Sequence, residues 1–332
     1  MSSLTAHYRA HTNIALIKYW GKRNADLFLP ITSSLSLTLD AFYTDTKITF
    51  SSDIQQDTFY LNHALQDAQN TQKITQFVNL FRQVAQVDLP FCIESVNHVP
   101  TAAGLASSAS AFAALACACN HALQLNLDSQ TLSTYARQGS GSACRSLFGG
   151  FVEWHKGVGD DSASSFAEAI DAANWDIAML VVAINTHSKK ISSRIGMQQT
   201  IETSPFYAAW PSEVEKDLVA IKQAIAAQDF CTMGEIAEHN AMKMHATMIA
   251  AKPSFTYWEP DSLIAMNCVR ELRQQGIPCY FTMDAGPNVK VLCRASQALD
   301  VQAYFAQHFA KEQLIIAKAG PAPYALDGSF AK

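Results

Sequence analysis

Cationic side chains crowd one short segment near the start of the chain, Asn13–Arg23 (NIALIKYWGKR). Lys18, Lys22 and Arg23 lie there within six positions, around the aromatic pair Tyr19–Trp20. A chain with a net charge of −5 needs a local basic pocket to hold an anionic ligand. The segment therefore predicts one wall of an anion site, and the alternative is a solvated charge cluster beside a buried aromatic pair.

A second segment, Ser140–Gly150 (SGSACRSLFGG), places two serine hydroxyls before an arginine. The planar fork of Arg145 can bind both oxygens of a carboxylate, and Ser140 and Ser142 can donate to phosphate oxygens. The alternative is a turn at a helix start that carries a surface arginine.

Asp284 ends an apolar strand and precedes a tight Ala-Gly-Pro turn. A carboxylate at a strand end is well placed to face a cleft, where it can act as a base toward a poorly nucleophilic alcohol. The alternative is an aspartate that caps the turn through its own backbone.

The segment Pro100–Ser110 (PTAAGLASSAS) consists of small residues between a predicted strand and an apolar helix. Gly104 permits backbone conformations that bring a ligand close, and a helix start favours an anion. Ser107 and Ser108 add hydroxyls for phosphate oxygens or for a phosphate-bound Mg²⁺. The segment predicts a phosphate loop, and the alternative is a tight strand-to-helix turn.

Further candidates lie around these segments. A basic, hydroxyl-bearing stretch runs from Lys189 to Arg194 and is followed by Gly196-Met197; the alternative is a solvated interdomain loop. Ser95 and Asn97 precede the loop and can reach a nucleotide, and Lys73 is a weaker basic candidate.

The elements that must position these residues follow from hydrophobic spacing. Strands are predicted at 8–13, 31–39, 91–99, 151–156, 176–184, 278–283, 289–294 and 313–318, and a hairpin at 44–51 and 57–62. Helices are predicted at 74–84, 111–125, 128–137, 205–228, 231–251, 261–275 and 297–309, with Asp128 or Ser129 as a cap. This order predicts an α+β class with two abutting domains, 1–185 and 186–332.

Composition and charge limit the classes of function that the chain can have. The chain has 332 residues, of which 49% are hydrophobic and 16% charged, so it can bury a large core. The acidic balance gives no reason to expect nucleic-acid or membrane binding. Eight cysteines without a CxxC pair and a polar N-terminus favour a reducing cytoplasm. The ten histidines show no metal-ligand spacing.

Four segments together resemble the diphosphomevalonate decarboxylase family of the GHMP kinase superfamily. They are NIALIKYWGKR, PTAAGLASSAS, SGSACRSLFGGFVEW and MDAGPN, in that order along the chain. The resemblance implies a GHMP-kinase-like fold with a ribosomal protein S5 domain 2-like N-terminal domain and a ferredoxin-like C-terminal domain. It also implies ATP and Mg²⁺ as cofactors, (R)-5-diphosphomevalonate as substrate and a homodimer.

The resemblance also implies residue roles. The catalytic residues would be Asp284, Arg145 and Lys18. The substrate-binding residues would be Tyr19, Trp20, Gly21, Lys22, Ser140, Gly141, Ser142, Ala143, Cys144, Arg145, Ser193, Arg194, Met197 and Lys73, with no nucleophilic role for Cys144. The ATP-binding residues would be Ser95, Asn97, Pro100, Ala102, Ala103, Gly104, Leu105, Ala106, Ser107 and Ser108, the last two reaching the metal through the phosphates.

Three other functions fit the same motifs. The first is a kinase of the superfamily that phosphorylates without decarboxylation, such as a mevalonate 3-kinase. The second is a decarboxylase of the monophosphate. The third is a sensor that binds ATP or mevalonate derivatives without turnover, which the full set of reactive groups disfavours.

Overall fold

One large sheet organises the N-terminal half in the computed structural model, which describes residues 4–98, 107–185 and 191–328. Its strands are β1 (Leu4–Ile17), β4 (Ser34–Phe50), β5 (Thr58–Leu61), β6 (Ala64–Leu65), β7 (Phe91–His98), β8 (Phe151–Trp154), β9 (Ala167–Asp171) and β14 (Tyr324–Ala325). They pair in the order β14-β1-β4-β7-β5-β6, and β8 joins β4 and β9. A separate small hairpin consists of β2 (Lys22–Asn24) and β3 (Leu29–Pro30).

The second sheet belongs mostly to the C-terminal half. It pairs β11 (Cys279–Met283), β12 (Val289–Cys293), β10 (Ala178–Val182) and β13 (Leu314–Lys318) in that order. All three pairings are antiparallel. Every residue of β10, β11 and β12 is buried, which explains their nearly continuous apolar sequences.

Eight α-helices lie within the described ranges. They are α1 (Ala68–Ala85), α2 (Ser108–Ala122), α3 (Ser129–Gly139), α4 (Ser193–Thr203), α5 (Trp210–Ala226), α6 (Phe230–Ile249), α7 (Pro260–Gln274) and α8 (Ala298–Phe305). Asp67, Asp128, Ser192 and Asp229 cap four of them by accepting a hydrogen bond from a backbone N–H in the first turn. The predicted cap at Asp128 is confirmed. No helix among the described residues is long and apolar enough to cross a membrane.

One hydrophobic cluster runs across both halves of the chain. It joins Leu16 and Leu37 of the first sheet to Ile221 of α5 and Met244 of α6. The pairing of strands also crosses the expected boundary, because β10 lies in the second sheet and β14 in the first. The division at residue 185 stays a prediction.

The mixed α+β class is confirmed, one local expectation is wrong, and helix α4 and strand β9 were not predicted. Residues 44–50 continue β4 and pair with β7, so they form no hairpin with β5, which runs parallel to β7. Helix α4 begins at Ser193, within the basic stretch for which an interdomain loop was the alternative. Strand β9 was not predicted, because its alternation is short and partly exposed.

Candidate active site

A cavity of about 410 Å³ lies between the two halves of the chain. Its walls come from the end of β1, the β2–β3 hairpin, the starts of α2 and α4, the turn after α3, helix α6 and the turn between β11 and β12. The structure brings together many of the predicted residues there: Lys18, Tyr19, Trp20, Lys22, Ser108, Ser140, Gly141, Ser142, Arg145, Ser193, Arg194, Met197 and Asp284.

Asp284 is held between two ammonium groups. Lys18 Nζ donates to Asp284 Oδ1 at 2.7 Å, and Lys290 Nζ lies 3.2 Å from Oδ2. The two lysine side chains are 2% and 4% exposed, whereas that of Asp284 is 37% exposed. The carboxylate is therefore the most exposed of the three groups at the cavity wall, and its two cationic partners are almost fully buried.

These neighbours decide the ionisation of the site. Burial alone would raise the pKa of Asp284, but the ammonium groups of Lys18 and Lys290 outweigh it and hold that pKa well below its usual range. Burial lowers the pKa of Lys18 to about 8, although the charge of Asp284 opposes the change. The pair is therefore ionised at neutral pH.

Lys18 is fixed by the surrounding backbone and by α6. Its Nζ also donates to the carbonyl of Ala15 at 2.7 Å, and its backbone N–H donates to Asn240 Oδ1 at 2.8 Å. Because Asn240 belongs to α6, the lysine connects the N-terminal sheet, the C-terminal helices and Asp284 at one point.

Arg145 is a buried cation with neutral partners. Its Nε donates to Asn13 Oδ1 at 3.2 Å and to Ser36 Oγ at 3.0 Å, and its Nη1 donates to Ser34 Oγ. Burial lowers its pKa. A buried guanidinium without a carboxylate partner is costly, so an anion bound in the cavity would complete this site.

The two serine segments meet at the cavity wall. Ser108 Oγ, in the first turn of α2, lies 3.2 Å from Ser140 Oγ. Gly141 stands beside the rings of Tyr19 and Trp154, each 3.1 Å from where its Cβ would be. Close packing of the turn against these rings therefore favours glycine at this position.

Lys22 and Arg194 enter the cavity from different halves of the chain. Lys22 starts β2, and Arg194 lies in the first turn of α4, which Ser192 caps by accepting from the N–H of Ile195 at 3.3 Å. Burial and the charge of Arg194 lower the pKa of Lys22 to about 8. Ser193 and Met197 line the same wall.

Several predicted residues lie behind the cavity wall. Gly21 has a φ of +129°, and a Cβ there would meet Tyr207 Oη at 1.9 Å. Trp20 lines the cavity and also belongs to the hydrophobic core, whereas Ala143 and Cys144 are fully buried in the 3-10 helix Gly141–Leu147, which also carries Arg145. Gly21, Ala143 and Cys144 therefore support the wall from behind.

Most of the predicted nucleotide-binding residues either lie outside the described residues or do not line this cavity. Pro100, Ala102, Ala103, Gly104, Leu105 and Ala106 lie outside the described residues, as do Lys189 and Lys190. Ser107 precedes α2 and its side chain makes no cap hydrogen bond. Ser95 and Asn97 lie on β7 and bond to Thr46 and Thr44, and Lys73 lies on α1; none of the three lines this cavity. Their binding roles stay predictions.

Lys290, Phe28 and Asn240 were not predicted from the sequence. A lysine inside the apolar strand VKVLC was a signal for Lys290, because a buried charge needs a partner. Phe28 and Asn240 carry no such signal, since aromatic residues in turns and polar residues on helices are common.

The chain resembles proteins of one family along most of its length. A family model described as the diphosphomevalonate decarboxylase-like N-terminal domain matches residues 10–167, and a model of the mevalonate 5-diphosphate decarboxylase C-terminal domain matches residues 179–322. Diphosphomevalonate decarboxylase mvd1 of Aspergillus fumigatus is 38% identical over 308 residues, which cover 86% of this chain and 76% of the relative.

Solved structures of proteins from the same family are also similar to this chain. A structure described as MDDEF in complex with MVAPP, AMPPCP and magnesium has a TM-score of 0.93 and 54% identity, and covers 98% of this chain and 100% of its own. The mevalonate diphosphate decarboxylase from Enterococcus faecalis has a TM-score of 0.92 and 53% identity, with 98% and 100% coverage.

Proposed function

The chain belongs to the diphosphomevalonate decarboxylase family, and from this premise we propose the reaction that it catalyses. It converts (R)-5-diphosphomevalonate and ATP into isopentenyl diphosphate, CO2, ADP and phosphate, a step of the mevalonate pathway of isoprenoid biosynthesis. ATP and Mg²⁺ are its cofactors, as the structure of a relative in complex with MVAPP, AMPPCP and magnesium supports.

The charge of the cavity is the observation that carries this proposal. Among the described lining residues, Asp284 is the one carboxylate, and five side chains are cationic: Lys18, Lys22, Arg145, Arg194 and Lys290. Such an excess of positive charge suits a substrate that bears both a carboxylate and a diphosphate. The single carboxylate stands where a substrate hydroxyl can approach it.

Asp284 acts on the tertiary 3-hydroxyl. The carboxylate accepts the hydrogen bond of the hydroxyl and takes its proton as the oxygen bonds to the γ-phosphorus of ATP and ADP leaves. Because Lys18 and Lys290 hold its pKa low, Asp284 is a weak base. Its main contribution is therefore to orient the oxygen, as positioning dominates catalysis of phosphoryl transfer.

Decarboxylation follows from the new leaving group. The C3–O bond breaks and releases phosphate, which leaves a carbocation-like centre at C3. The bond from the carboxylate to C2 then breaks, CO2 departs, and its electron pair forms the double bond. Arg145 and Lys18 orient the carboxylate, because both are buried cations that line the cavity.

The diphosphate and the nucleotide occupy the outer parts of the site. Ser140, Ser142, Lys22 and Arg194 hold the diphosphate, and the stretch ending in Ser107 and Ser108 holds the ATP phosphates. Magnesium, when bound with ATP, neutralises charge on the transferring phosphates. Hydroxyl oxygens such as Ser108 Oγ, at the cavity wall, suit this hard cation.

The compartment, the oligomeric state and the domain boundaries of the protein are further proposals. We propose a cytoplasmic homodimer, with an N-terminal phosphate-loop domain over 1–185 and a second domain over 186–332. All eight cysteines are free thiols, which supports a reducing compartment. Sedimentation of the purified protein at micromolar concentration tests the dimer.

A comparison of substrates tests the reaction. The purified protein is given MgATP with mevalonate, its 5-phosphate or its 5-diphosphate, and each product is identified by mass. The proposal predicts isopentenyl diphosphate from the diphosphate, with a much higher kcat/KM than for the other two. A stable 3-phosphorylated product would support the kinase alternative, and preferred turnover of the monophosphate would support the second decarboxylase.

A further inference from the structure

Phe28 holds an unusual backbone conformation at the cavity wall. It ends the turn of the β2–β3 hairpin, where its N–H donates to the carbonyl of Ala25 at 3.4 Å, and its φ is +53°. A bulky side chain in the left-handed region is strained, and glycine or asparagine would relieve that strain. Strained residues of this kind cluster at functional sites.

The hydrophobic core gives no reason for a phenylalanine here. Phe28 belongs to none of the hydrophobic clusters that the described residues form. Its ring is half-buried and lines the cavity instead. The reason for the aromatic ring must therefore lie in the cavity.

Two cations lie near this ring. Lys22 Nζ lies 3.7 Å from the ring centroid, and Arg194 Cζ lies 5.9 Å from it. Both distances fall within the range of cation–π attraction. Within residues 4–98, 107–185 and 191–328, neither cation forms a salt bridge with a carboxylate. The ring is thus an attractive partner for two groups that repel each other.

We propose that Phe28 is a positioning residue for the diphosphate of the substrate. Its ring holds Lys22 of the N-terminal half and Arg194 of the C-terminal half close enough to bind one anionic group together. The proposal rests on the proposed function, which supplies the diphosphate. It assigns no contact with the reacting carbon, so it concerns binding of the substrate and leaves the chemical step unchanged.

Three variants of the intact protein test the proposal. Phe28→Leu keeps an apolar side chain without the aromatic face, Phe28→Tyr keeps the face, and Phe28→Gly removes both the face and the strain. For Phe28→Leu we expect KM for diphosphomevalonate to rise about threefold to thirtyfold. We expect kcat and KM for ATP to change by less than about twofold, and Phe28→Tyr to resemble the parent protein.

The melting temperature distinguishes a positioning role of Phe28 from a structural one. Phe28→Gly should raise the KM for diphosphomevalonate as Phe28→Leu does, while its melting temperature stays equal to or above that of the parent. An unchanged KM in Phe28→Leu would overturn the proposal. So would a Phe28→Gly protein that loses melting temperature and every kinetic constant together, because that pattern is the one expected of a structural residue.

Calorimetry with inorganic diphosphate distinguishes failure of this proposal from failure of the proposed function. Weaker binding to Phe28→Leu than to the parent would uphold the role of the ring even if no CO2 were released. Equal binding to both, or no binding to the parent, would overturn it whatever the reaction proves to be.

Discussion

At the scale of single residues, the site depends on one carboxylate between two lysines. Lys18 contacts one oxygen of Asp284 and Lys290 the other, which fixes the plane of the carboxylate. The arrangement keeps Asp284 ionised and aimed at the cavity, where its side chain is the most exposed of the three. A hydroxyl that binds there meets an acceptor that is already oriented.

Replacing Lys290 tests this arrangement. For Lys290→Met we expect kcat to fall about tenfold to a hundredfold, because one oxygen of Asp284 loses its partner and the carboxylate can turn. The loss of a cation also raises the pKa of Asp284, so the acidic limb of the kcat profile should move to higher pH. The measurement is kcat as a function of pH.

Lys290→Arg is the matched control, since it keeps the positive charge. It should recover most of the lost kcat and return the acidic limb toward its original position. A Lys290→Met protein with unchanged kcat and an unmoved acidic limb would show that Lys18 alone positions Asp284.

The lowered pKa values of two lysines predict an alkaline limit on activity. Lys18 and Lys22 each have a pKa of about 8, and only the charged forms attract the anionic substrate. We therefore expect kcat/KM to fall above about pH 8, with log(kcat/KM) reaching a slope of about −2. Bound substrate favours the charged lysines, so the limb in kcat should lie at higher pH.

The variant Lys22→Arg shows how much of the alkaline fall in kcat/KM is due to Lys22. Arginine stays charged throughout this range, so the slope of log(kcat/KM) should change to about −1, from Lys18 alone. A profile of kcat/KM that stays flat to about pH 10, the ordinary range of lysine, would contradict the lowered pKa values.

At the scale of elements, the connection between β1 and β2 depends on a glycine. Gly21 has a φ of +129°, and its missing Cβ leaves room for Tyr207 Oη, which donates to the carbonyl of Trp20 at 2.7 Å. Tyr207 belongs to the C-terminal half, so this contact also positions the strand that carries Lys22 against the second half.

Gly21→Ala should destabilise the protein by more than backbone strain alone, which costs about 1–3 kcal/mol. Gly276→Ala is the matched control, because Gly276 has a φ of +86° with nothing within 4 Å of its Cβ position. The measurement is the free energy of unfolding in denaturant. Adding Tyr207→Phe should recover part of the Gly21→Ala loss, and equal losses at the two glycines would contradict a steric role for Tyr207.

The sequence predicted elements best where apolar runs have clear ends. Strands β11 and β12 were predicted almost to the residue, because a Gly-Pro turn separates two buried runs. Strand β4 was divided in two, since exposed Asp40 interrupts its apolar pattern; in the structure its Oδ1 accepts from the N–H of Lys318 at 2.8 Å. Helix α4 has few apolar residues, so periodicity gave no sign of it.

The sequence also predicted part of the site, because short motifs carry its reactive side chains. Motifs identified Lys18, Arg145 and Asp284 as groups that could face a cavity. They did not predict that Lys18 and Asp284 pair, because 266 positions separate them. The second partner, Lys290, and the ring of Phe28 depend on how the hairpin and the second sheet pack, which no local pattern records.

At the scale of the whole molecule, the cavity exists because the two halves share a core. Helix α6 carries both Met244, which lines the cavity, and Asn240, which accepts from the N–H of Lys18. The carboxylate from one half is therefore positioned by a lysine from the other. Phosphoryl transfer and loss of CO2 are expected to take place in this one cavity.

The most direct test measures CO2 and ADP together. The protein is supplied with carboxyl-labelled diphosphomevalonate, with and without MgATP, and both products are followed over time. The account predicts release of CO2 and ADP in equal amounts, only with MgATP, and loss of both by about a hundredfold or more in Asp284→Asn. ADP without CO2, or normal turnover by a well-folded Asp284→Asn protein, would contradict it.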